Sequence, residues 1–358
     1  MGNNKIDNYL SDIKKKVDVE LNKFYSVRID RSAKIGRDFK KLIEETAKQT
    51  LRGGKRLRPA LAVLGYKIAG GKDEDKIIKA AIALEIFHNY LLIHDDIMDR
   101  DERRHGGLNI IGTYKKRLSK TLSEGAAEHT AMSFSLLAGD INSGLMYEAL
   151  LESGFDNELY IKVIRRLNEA VFEVAAGQQL DMIASYKKTI SQKDIISVGK
   201  HKTADYSIIM PLQFGALLAG ANMRVVDSMV AYGESLGVGY QIADDVMGIF
   251  GNQKTIGKPV LSDLQEGKKT ILIRNGLMLS TKEQKSRILS VFGNPRANAA
   301  DLKMVKRYLE DSGAKAKTLI CAQEYVNRAI KSIPSITKDL ELRTLLTEFA
   351  EHCISRNK

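Results

Sequence analysis

An apolar helical stripe that ends in clustered carboxylates constrains this chain more than any other feature. One set of side chains recurs at steps of three and four residues: Ile77, Ala81, Leu84, His88, Leu91 and Asp95. That spacing is typical of one face of an α-helix. Asp99 falls on the same face as Asp95, and Asp96 lies beside them. Because close carboxylates repel one another, and hard ions such as Mg²⁺ prefer oxygen ligands, the pattern predicts a helix from about Asp73 to Asp99 that ends in a metal site.

Basic residues lie close to this acidic cluster in the sequence. Arg103 and Arg104 follow it directly, and a guanidinium group suits bidentate contact with phosphate. Earlier, the segment LRGGKRLRPAL places Lys55 and Arg58 around the start of a helix at Pro59, where an anion is also favoured. Each basic segment, taken alone, is equally compatible with a solvated surface. Together with the acids they predict a site for a metal-bound diphosphate.

A second acidic segment repeats this arrangement. Asp244 and Asp245 end another apolar helical run, and Gln241 lies one turn earlier. The loop that follows carries Lys258, Asp263, Lys268 and Lys269. Two acidic helix ends, each followed by cations, suggest two walls that face one metal cluster.

Composition sets broader limits. The net charge of +12 is compatible with polyanionic ligands, nucleic acid or an anionic membrane surface. A nucleic-acid-binding surface would cluster cations with aromatic residues, whereas the cations here follow the acidic motifs. Cys321 and Cys353 lack metal or redox spacing, and the polar start of the chain lacks the apolar core of a signal peptide. No apolar run reaches membrane-spanning length, so we expect a cytoplasmic protein without a transmembrane segment.

Five motifs occur in a fixed order between Gly53 and Thr270. They are GGKRLRP, DDIMD, GQQLD, the Lys202–Thr203 pair and DDVMG. In this combination and order the chain resembles the trans-isoprenyl diphosphate synthases, the polyprenyl synthetase family. The resemblance implies a single all-α domain over residues 1–358, an isoprenoid-synthase-type helical bundle around a central cavity. Within it, residues 1–50 would form covering helices, 53–270 the motif-bearing core and 271–358 the C-terminal helices. The resemblance also implies that Asp140, in an apolar run, serves packing.

Periodicity and helix breakers predict further elements. Two helices are expected before residue 51, around a break near Ser32 to Gly36, and another helix from Asn157 to about Tyr186. Residues 108–125 are predicted to form a polar connection. The segments GNPRAN and SIPS are predicted to interrupt the C-terminal helices.

The resemblance also implies a function and its residues. The function is Mg²⁺-dependent condensation of isopentenyl diphosphate with dimethylallyl, geranyl or farnesyl diphosphate by a homodimer. Metal would be bound by Asp95, Asp96, Asp99 and Asp244, with Asp245 in support, and three Mg²⁺ ions are expected, with Mn²⁺ as an alternative. Isopentenyl diphosphate would be bound by Lys55, Arg58, His88 and Arg104, with Arg356 as a further candidate. The allylic diphosphate would be bound by Arg103, Lys202 and Lys258, with Gln178, Thr203, Gln241 and Lys268 completing the substrate contacts and Asp181 near the metals.

Product length is expected to depend on the helix before the first motif. Tyr90 lies about 7.5 Å deeper than Asp95 at 1.5 Å per residue. It points some 140° away from Asp95, so spacing alone also allows an ordinary core tyrosine. An aromatic residue at this position, with Leu91 beside it, resembles the arrangement that produces a C20 chain, geranylgeranyl diphosphate. A C15 product is the main rival, and Phe87 is an alternative floor.

Three other functions fit parts of the sequence, and the chain departs from the family pattern at three positions. A class I terpene cyclase would carry a different second metal motif, a non-catalytic partner subunit would be expected to lose the aspartates, and a His-Asp phosphohydrolase at His94 would need further histidines. Gly248 replaces the last acid of the second motif, and His105 alters the common RRG sequence. Asp205 adds an acid near Lys202 for which the sequence offers no account.

Overall fold

The helical periodicity of the sequence is realised along almost the whole chain. The computed structural model describes residues 5–187, 189–251 and 261–355, and within these ranges only four residues form strands. The all-α prediction is confirmed. The elements fall into two compact units, one made of 5–164 with Phe214–Gly220, the other of Arg165–Gln213 with the described part of 221–355. That the chain forms one domain remains a prediction.

The first unit contains both covering helices and the first acidic motif. Its elements are α1 (Lys5–Ala33), α2 (Arg37–Leu51), α3 (Leu57–Ile68), α4 (Glu74–Met98), β1 (Arg103–Arg104), β2 (Gly107–Leu108), α5 (Ile110–Leu118), α6 (Glu124–Leu151) and the start of α7 (Asn157–Tyr186). α1 and α2 agree with the sequence prediction of two helices around a break near Gly36. The sequence also predicted a polar connection over 108–125, which is wrong. That stretch forms α5, because Ile110, Ile111 and Tyr114 are buried.

Helix α4 is the core of this unit and carries the first acidic motif at its end. The Asp73 side chain caps it by accepting a hydrogen bond from the N–H of Lys76 at 3.0 Å. Ile77, Ala81 and Leu84 are fully buried. α4 is apolar and long enough to cross a membrane, but 67% of its most apolar window is buried inside the protein. We therefore interpret it as a core helix.

Helices α4 and α6 pack closely beside the motif. A side chain at Gly139 would begin 2.3 Å from Nε2 of His94, so only glycine leaves room for this ring. The prediction that Asp140 serves packing is wrong, because its side chain is 71% exposed, with Oδ1 3.7 Å from His94 Nε2.

The second unit is organised around the helix of the second acidic motif. Its elements are the rest of α7, α8 (Gln192–Val198), a π-helix π1 (Gly199–Ile209), the start of α9 (Met210–Leu218), α10 (Met223–Phe250), α11 (Ser262–Glu266), α12 (Ile271–Leu279), α13 (Lys282–Val291), α14 (Ala299–Asp311), α15 (Ala314–Ile336) and α16 (Leu340–Ser355). α10 packs against π1 and α15. Gly237 allows the close approach to π1, since a Cβ there would lie 2.3 Å from Cα of Ala204.

The C-terminal helices match one predicted break and contradict the other. The segment GNPRAN separates α13 from α14, as predicted. The predicted break at SIPS is wrong, because α15 continues through Pro334 to Ile336. Proline removes one backbone donor and clashes with the preceding turn, at a cost of about 3 kcal/mol inside a helix, which other contacts must offset. Ile333 and Ile336 are both buried here.

Candidate active site

At the end of α4, the carboxylates of the first acidic motif differ in burial. Asp96 is 2% exposed, and its Oδ1 accepts a hydrogen bond from Nε of Arg104 at 2.8 Å. Asp95 and Asp99 are half-buried and lie one turn apart. The Oδ2 atom of Asp95 is 3.5 Å from Nη2 of Arg104. Asp96 therefore positions the arginine, while Asp95 and Asp99 are more accessible.

The hairpin that follows α4 orients the two arginines in opposite directions. β1 pairs with β2 in antiparallel register, Arg103 opposite Leu108 and Arg104 opposite Gly107. Because successive side chains of a strand point to opposite faces, Arg103 is exposed while Arg104 is buried. Besides Asp95 and Asp96, the buried guanidinium lies 3.6 Å from Asp101. The sequence predicted substrate contact for both arginines but not this buried role of Arg104.

The basic turn before α3 combines a structural arginine with two more accessible cations. Arg56 is 3% exposed and forms ion pairs with Asp18 at 2.7 Å and Glu85 at 2.8 Å. Lys55 is exposed and Arg58 is half-buried. Lys55 and Arg58 are the predicted ligands, and their accessibility is compatible with that prediction. One sequence feature could have indicated that Arg56 is structural: Glu85, an acid on the buried face of α4, needs a cationic partner.

His88 lies among cations on the same side of this unit. Burial lowers its pKa well below the ordinary value, and the charges of Arg58, Arg104 and Arg56 lower it further. The ring is therefore neutral at neutral pH and can both donate and accept a hydrogen bond. Basic side chains from the turn, α4 and the hairpin thus surround one spot, as expected for an anion site.

The residues predicted to set product length lie in an aromatic cluster. The ring of Tyr90 stacks on Phe87 with 6.1 Å between centroids and meets His94 edge-on at 4.9 Å. Phe87 is fully buried, whereas Tyr90 and Leu91 are half-buried. Burial raises the pKa of Tyr90, and the nearby charge of Asp140 adds to this effect. The chain-length role of these residues remains a prediction.

In the second unit, the second acidic motif likewise has one buried and one accessible carboxylate. Asp245 is 5% exposed and its Oδ1 accepts a hydrogen bond from Nε2 of Gln241 at 2.8 Å. Nζ of Lys268 lies 3.5 Å from the same oxygen. Burial raises the pKa of Asp245 to about 7, although Lys268 and Gln241 act in the opposite direction. Asp244 is exposed, which is compatible with its predicted role as a metal ligand.

Lys202 and Thr203 lie on π1, and π-helical turns frequently occur at functional sites. Nζ of Lys202 is 2.7 Å from Asp181, and the hydroxyl of Thr203 donates to Gln241 at 2.5 Å. Asp181, Lys202, Gln241, Asp245 and Lys268 line one small pocket. Gln178 is half-buried on α7, about one helical turn before Asp181. The residues predicted from GQQLD, the Lys-Thr pair and the second motif are thus brought together.

Comparison with known proteins gives this arrangement its family. Residues 40–309 match the polyprenyl synthetase family. The chain belongs to this family. It is 32% identical over 324 residues to the geranylgeranyl diphosphate synthase of Saccharolobus solfataricus, covering 90% of this chain and 92% of that one. It is 31% identical over 313 residues to the geranylfarnesyl diphosphate synthase of Aeropyrum pernix, covering 86% and 91%.

A solved structure agrees with the sequence relatives. The geranylgeranyl pyrophosphate synthase of Corynebacterium glutamicum, complexed with isoprenyl diphosphate and magnesium, is similar with a TM-score of 0.90 and 27% identity. The similarity covers 98% of this chain and 99% of that one. The isoprenoid-synthase fold is therefore confirmed, and the chain is a trans-prenyltransferase. Polyprenyl synthetases act on isoprenyl diphosphates and use divalent metal ions.

Two departures from the polyprenyl synthetase motifs acquire a physical reason. A side chain at Gly248 would begin 2.0 Å from Oδ2 of Asp263, so the carboxylate of Asp263 fills the space of the absent acid. Asp205 forms an ion pair with Arg166, whose Nη1 lies 3.2 Å from Oδ2 of Asp205. Asp205 is thus a structural partner within the second unit. This role of Asp263 was not predicted from the sequence, because Gly248 lies fifteen residues away from it.

Lys269, next to the predicted ligand Lys268, has a different role. Its Nζ donates hydrogen bonds to the carbonyls of Ala184 and Ser185, both at 2.9 Å, and to that of Lys187. These bonds satisfy carbonyl groups that the end of α7 would otherwise leave without partners. Lys258 and Arg356, two further predicted ligands, lie outside the described residues.

The donor atoms of the acidic motifs suit a hard divalent ion. The predicted ligands Asp95, Asp96 and Asp99 lie in the first unit and Asp244 in the second, and all supply carboxylate oxygen. Across residues 5–187, 189–251 and 261–355, no three His, Cys, Asp or Glu side chains are close enough to form a metal centre by themselves. The chemistry of the donor set therefore fits Mg²⁺, whereas the number of ions remains a prediction.

Proposed function

We propose that this prenyltransferase condenses isopentenyl diphosphate with an allylic diphosphate to make geranylgeranyl diphosphate, the C20 product. The observation that carries the proposal is the pairing of each acidic motif with cations suited to phosphate. In the first unit Arg58, His88 and Arg104 accompany Asp95, and in the second Lys202 accompanies the acidic end of α10. One unit thus offers cations for one diphosphate, and the other unit for the second.

The isopentenyl diphosphate would be held by the first unit. Lys55 and Arg58 offer accessible cations, and Arg104 a guanidinium fixed by Asp96. Neutral His88 adds a hydrogen bond without adding charge. Each charge-assisted hydrogen bond contributes about 1.5–3 kcal/mol. The allylic diphosphate would be bound by Lys202, Arg103 and Lys258, with Lys268 and the Thr203–Gln241 pair in support.

The residues present also suit a particular division of chemical work. Asp95, Asp99 and Asp244 would hold Mg²⁺, which when bound polarises a diphosphate oxygen and stabilises the leaving charge. The C–O bond of the allylic diphosphate breaks and releases pyrophosphate. The double bond of isopentenyl diphosphate then forms the new C–C bond. The departing pyrophosphate takes the final proton, which agrees with the lack of any assigned base among the described site residues.

An assay with matched variants tests the proposal. Purified protein with Mg²⁺, isopentenyl diphosphate and each allylic diphosphate should yield a prenyl diphosphate, and chelation should abolish turnover. Asp95→Asn keeps the shape of the side chain but removes its charge, and it should lower kcat by orders of magnitude while leaving the melting temperature nearly unchanged. A cyclic hydrocarbon product would favour a terpene cyclase instead. Normal turnover of Asp95→Asn would contradict the metal assignment.

Product length needs a separate test, because relatives of similar identity carry C20 and C25 names. The aromatic cluster of Phe87, Tyr90 and His94 fills the side of α4 below the motif, where a growing chain would end. Tyr90→Ser removes a ring and should lengthen the product, while Tyr90→Phe should leave it unchanged. The same product from Tyr90→Ser and the parent would place the floor elsewhere. C15 from the parent would favour the farnesyl alternative.

The proposal includes a cytoplasmic homodimer that uses three Mg²⁺ ions, with Mn²⁺ as an alternative. One face of α6 supports the dimer, because Met132 is 37% exposed, Leu136 47% and Leu137 52%. Large apolar side chains grouped on a surface commonly mark an interface. Sedimentation at low protein concentration tests it, and Leu136→Glu should shift the protein to the monomer. A parent protein that sediments as a monomer would contradict the dimer.

A further inference from the structure

Three residues adopt a backbone conformation that side chains other than glycine rarely take. Among the described residues, φ is positive at the non-glycine positions Arg56 (53°), Arg100 (58°) and His105 (51°). All three lie in the basic turn or in the segment from the first acidic motif to the hairpin. Such conformations are uncommon and tend to cluster at functional sites. Of the three, only His105 lies in the two-residue turn between β1 and β2.

His105 occupies the first position of the two-residue turn between β1 and β2. Gly106 follows with φ of 75°, so both turn residues are left-handed, as a type I′ hairpin turn requires. Glycine or asparagine would fill the first position at lower conformational cost. The turn itself therefore gives no reason for an imidazole at this position.

The imidazole lies against the basic turn of the isopentenyl site. The space where Gly53 would carry a Cβ is 3.6 Å from both Cβ and Cγ of His105 and 3.9 Å from its Nδ1. His105 is exposed, and in the described part of the chain it makes no hydrogen bond. The ring thus lies at an accessible edge with both nitrogens available to a ligand.

Charges around His105 favour an anion. Although the surface of His105 is exposed, desolvation by the surrounding protein lowers its pKa to about 4, and Arg104, Arg52 and Arg56 contribute to the decrease. The imidazole is therefore neutral at neutral pH and keeps one N–H donor. Arg104 and Arg56 also lower the pKa of His88, so both rings lie beside one group of cations.

We propose that His105 is a direct ligand of the diphosphate of isopentenyl diphosphate, donating an N–H from the edge of the site that contains Arg58, His88 and Arg104. This inference rests on the proposed function, because it assumes that this cluster is the isopentenyl site.

The test uses three variants of the full-length enzyme. His105→Gly removes the ring and suits the left-handed turn, His105→Asn keeps a donor in the same turn, and Arg100→Gly relaxes a nearby left-handed residue without touching His105. We expect His105→Gly to raise KM for isopentenyl diphosphate about tenfold, as loss of one hydrogen bond to a charged group would. KM for the allylic diphosphate and the melting temperature should not worsen. His105→Asn should recover part of the loss, and Arg100→Gly should resemble the parent.

Two results would overturn the inference: an unchanged KM for isopentenyl diphosphate in His105→Gly, or an equal increase for both substrates. If the parent enzyme does not consume isopentenyl diphosphate, the proposed function fails, and a binding measurement still decides the role of His105. Inorganic pyrophosphate is then titrated into ¹⁵N-histidine-labelled protein, with the His105 signals assigned by their loss in His105→Asn. Shifted ring signals with a raised pKa support His105 as an anion ligand, and unchanged signals refute it.

Discussion

Replacing Gly177 by alanine should separate helix packing from chemistry in the second unit. Gly177 lies in α7 where it meets π1. A Cβ there would lie 2.2 Å from the backbone N of Lys202 and 2.5 Å from its Cα. These are backbone atoms, so no rotamer change can relieve the overlap. Since ordinary contacts begin at 3.4 Å, α7 and π1 would have to separate by more than about 1 Å.

The expected loss of activity depends on how far Lys202 moves when α7 and π1 separate. Lys202 is held 2.7 Å from Asp181, which is one turn beyond Gly177 on α7. A misplacement of about 1 Å at a catalytic group can cost roughly 100-fold in rate. Overpacking of this kind costs about 1–3 kcal/mol of unfolding free energy. We therefore expect Gly177→Ala to lower kcat/KM for the allylic substrate about 100-fold, with a folded protein of reduced stability.

The measurements are steady-state kinetics and urea unfolding, with Gly125→Ala as the control. Gly125 is a helical glycine of α6 with nothing within 4 Å of an added Cβ. Alanine there should leave the kinetics unchanged and stabilise the protein by up to about 1 kcal/mol. If Gly177→Ala retains parental kcat/KM, the contact between α7 and π1 does not set the geometry of Lys202. A loss of activity explained wholly by unfolding would also refute the argument.

Three further predictions concern other contacts. Gly248→Asp should lower the unfolding free energy by about 1 kcal/mol in urea unfolding, the low end of overpacking costs, because the carboxylate of Asp263 must rotate away from a side chain that begins 2.0 Å from its Oδ2. The double variant Gly248→Asp with Asp263→Gly should recover part of the loss. Lys269→Met should increase hydrogen exchange at the end of α7, and unchanged exchange would show that this cap is unimportant. His88→Gln should make the unfolding free energy less sensitive to acid. The pKa of His88 in the folded protein lies below 6.5, so below pH 6.5 the unfolded state binds more protons than the folded state. The unfolding free energy of the parent therefore falls by up to about 1.4 kcal/mol per pH unit as the pH decreases, and His88→Gln removes this contribution. Parallel stability–pH curves for parent and His88→Gln would contradict this.

The sequence predicts the helices well wherever an apolar stripe runs without interruption. α4 and α7 begin and end close to the predicted residues. In α4 the predicted stripe of apolar residues is buried, which explains the agreement. The segment 110–118 was missed, since its buried residues are few and lie among lysines. Pro334 was taken as a break, although flanking burial carries the helix past it. Tertiary packing decided both cases, and short sequence windows do not contain it.

The candidate site was predictable in its composition but not in its internal pairing. The motifs identify which residue types meet, as Lys202, Gln241 and Asp245 do in one pocket. They do not identify the close approaches at Gly177 or Gly248, because those depend on segments distant in sequence. The role of Arg56 was missed for the same reason, since its partners Asp18 and Glu85 lie 38 and 29 residues away.

Pairing between acids and bases accounts for how such a charged site remains folded before substrate binds. An unpaired buried charge costs several kcal/mol, so a buried phosphate-binding cation needs a carboxylate partner in the free protein. Asp96 serves Arg104 in this way, and Asp181 serves Lys202. The partner also limits the rotamers of the cation, so less conformational entropy is lost when a diphosphate arrives. Adjacent aspartates with the same chemistry can therefore have different roles. The buried Asp96 holds Arg104 in place, whereas the more accessible Asp95 can bind a metal ion.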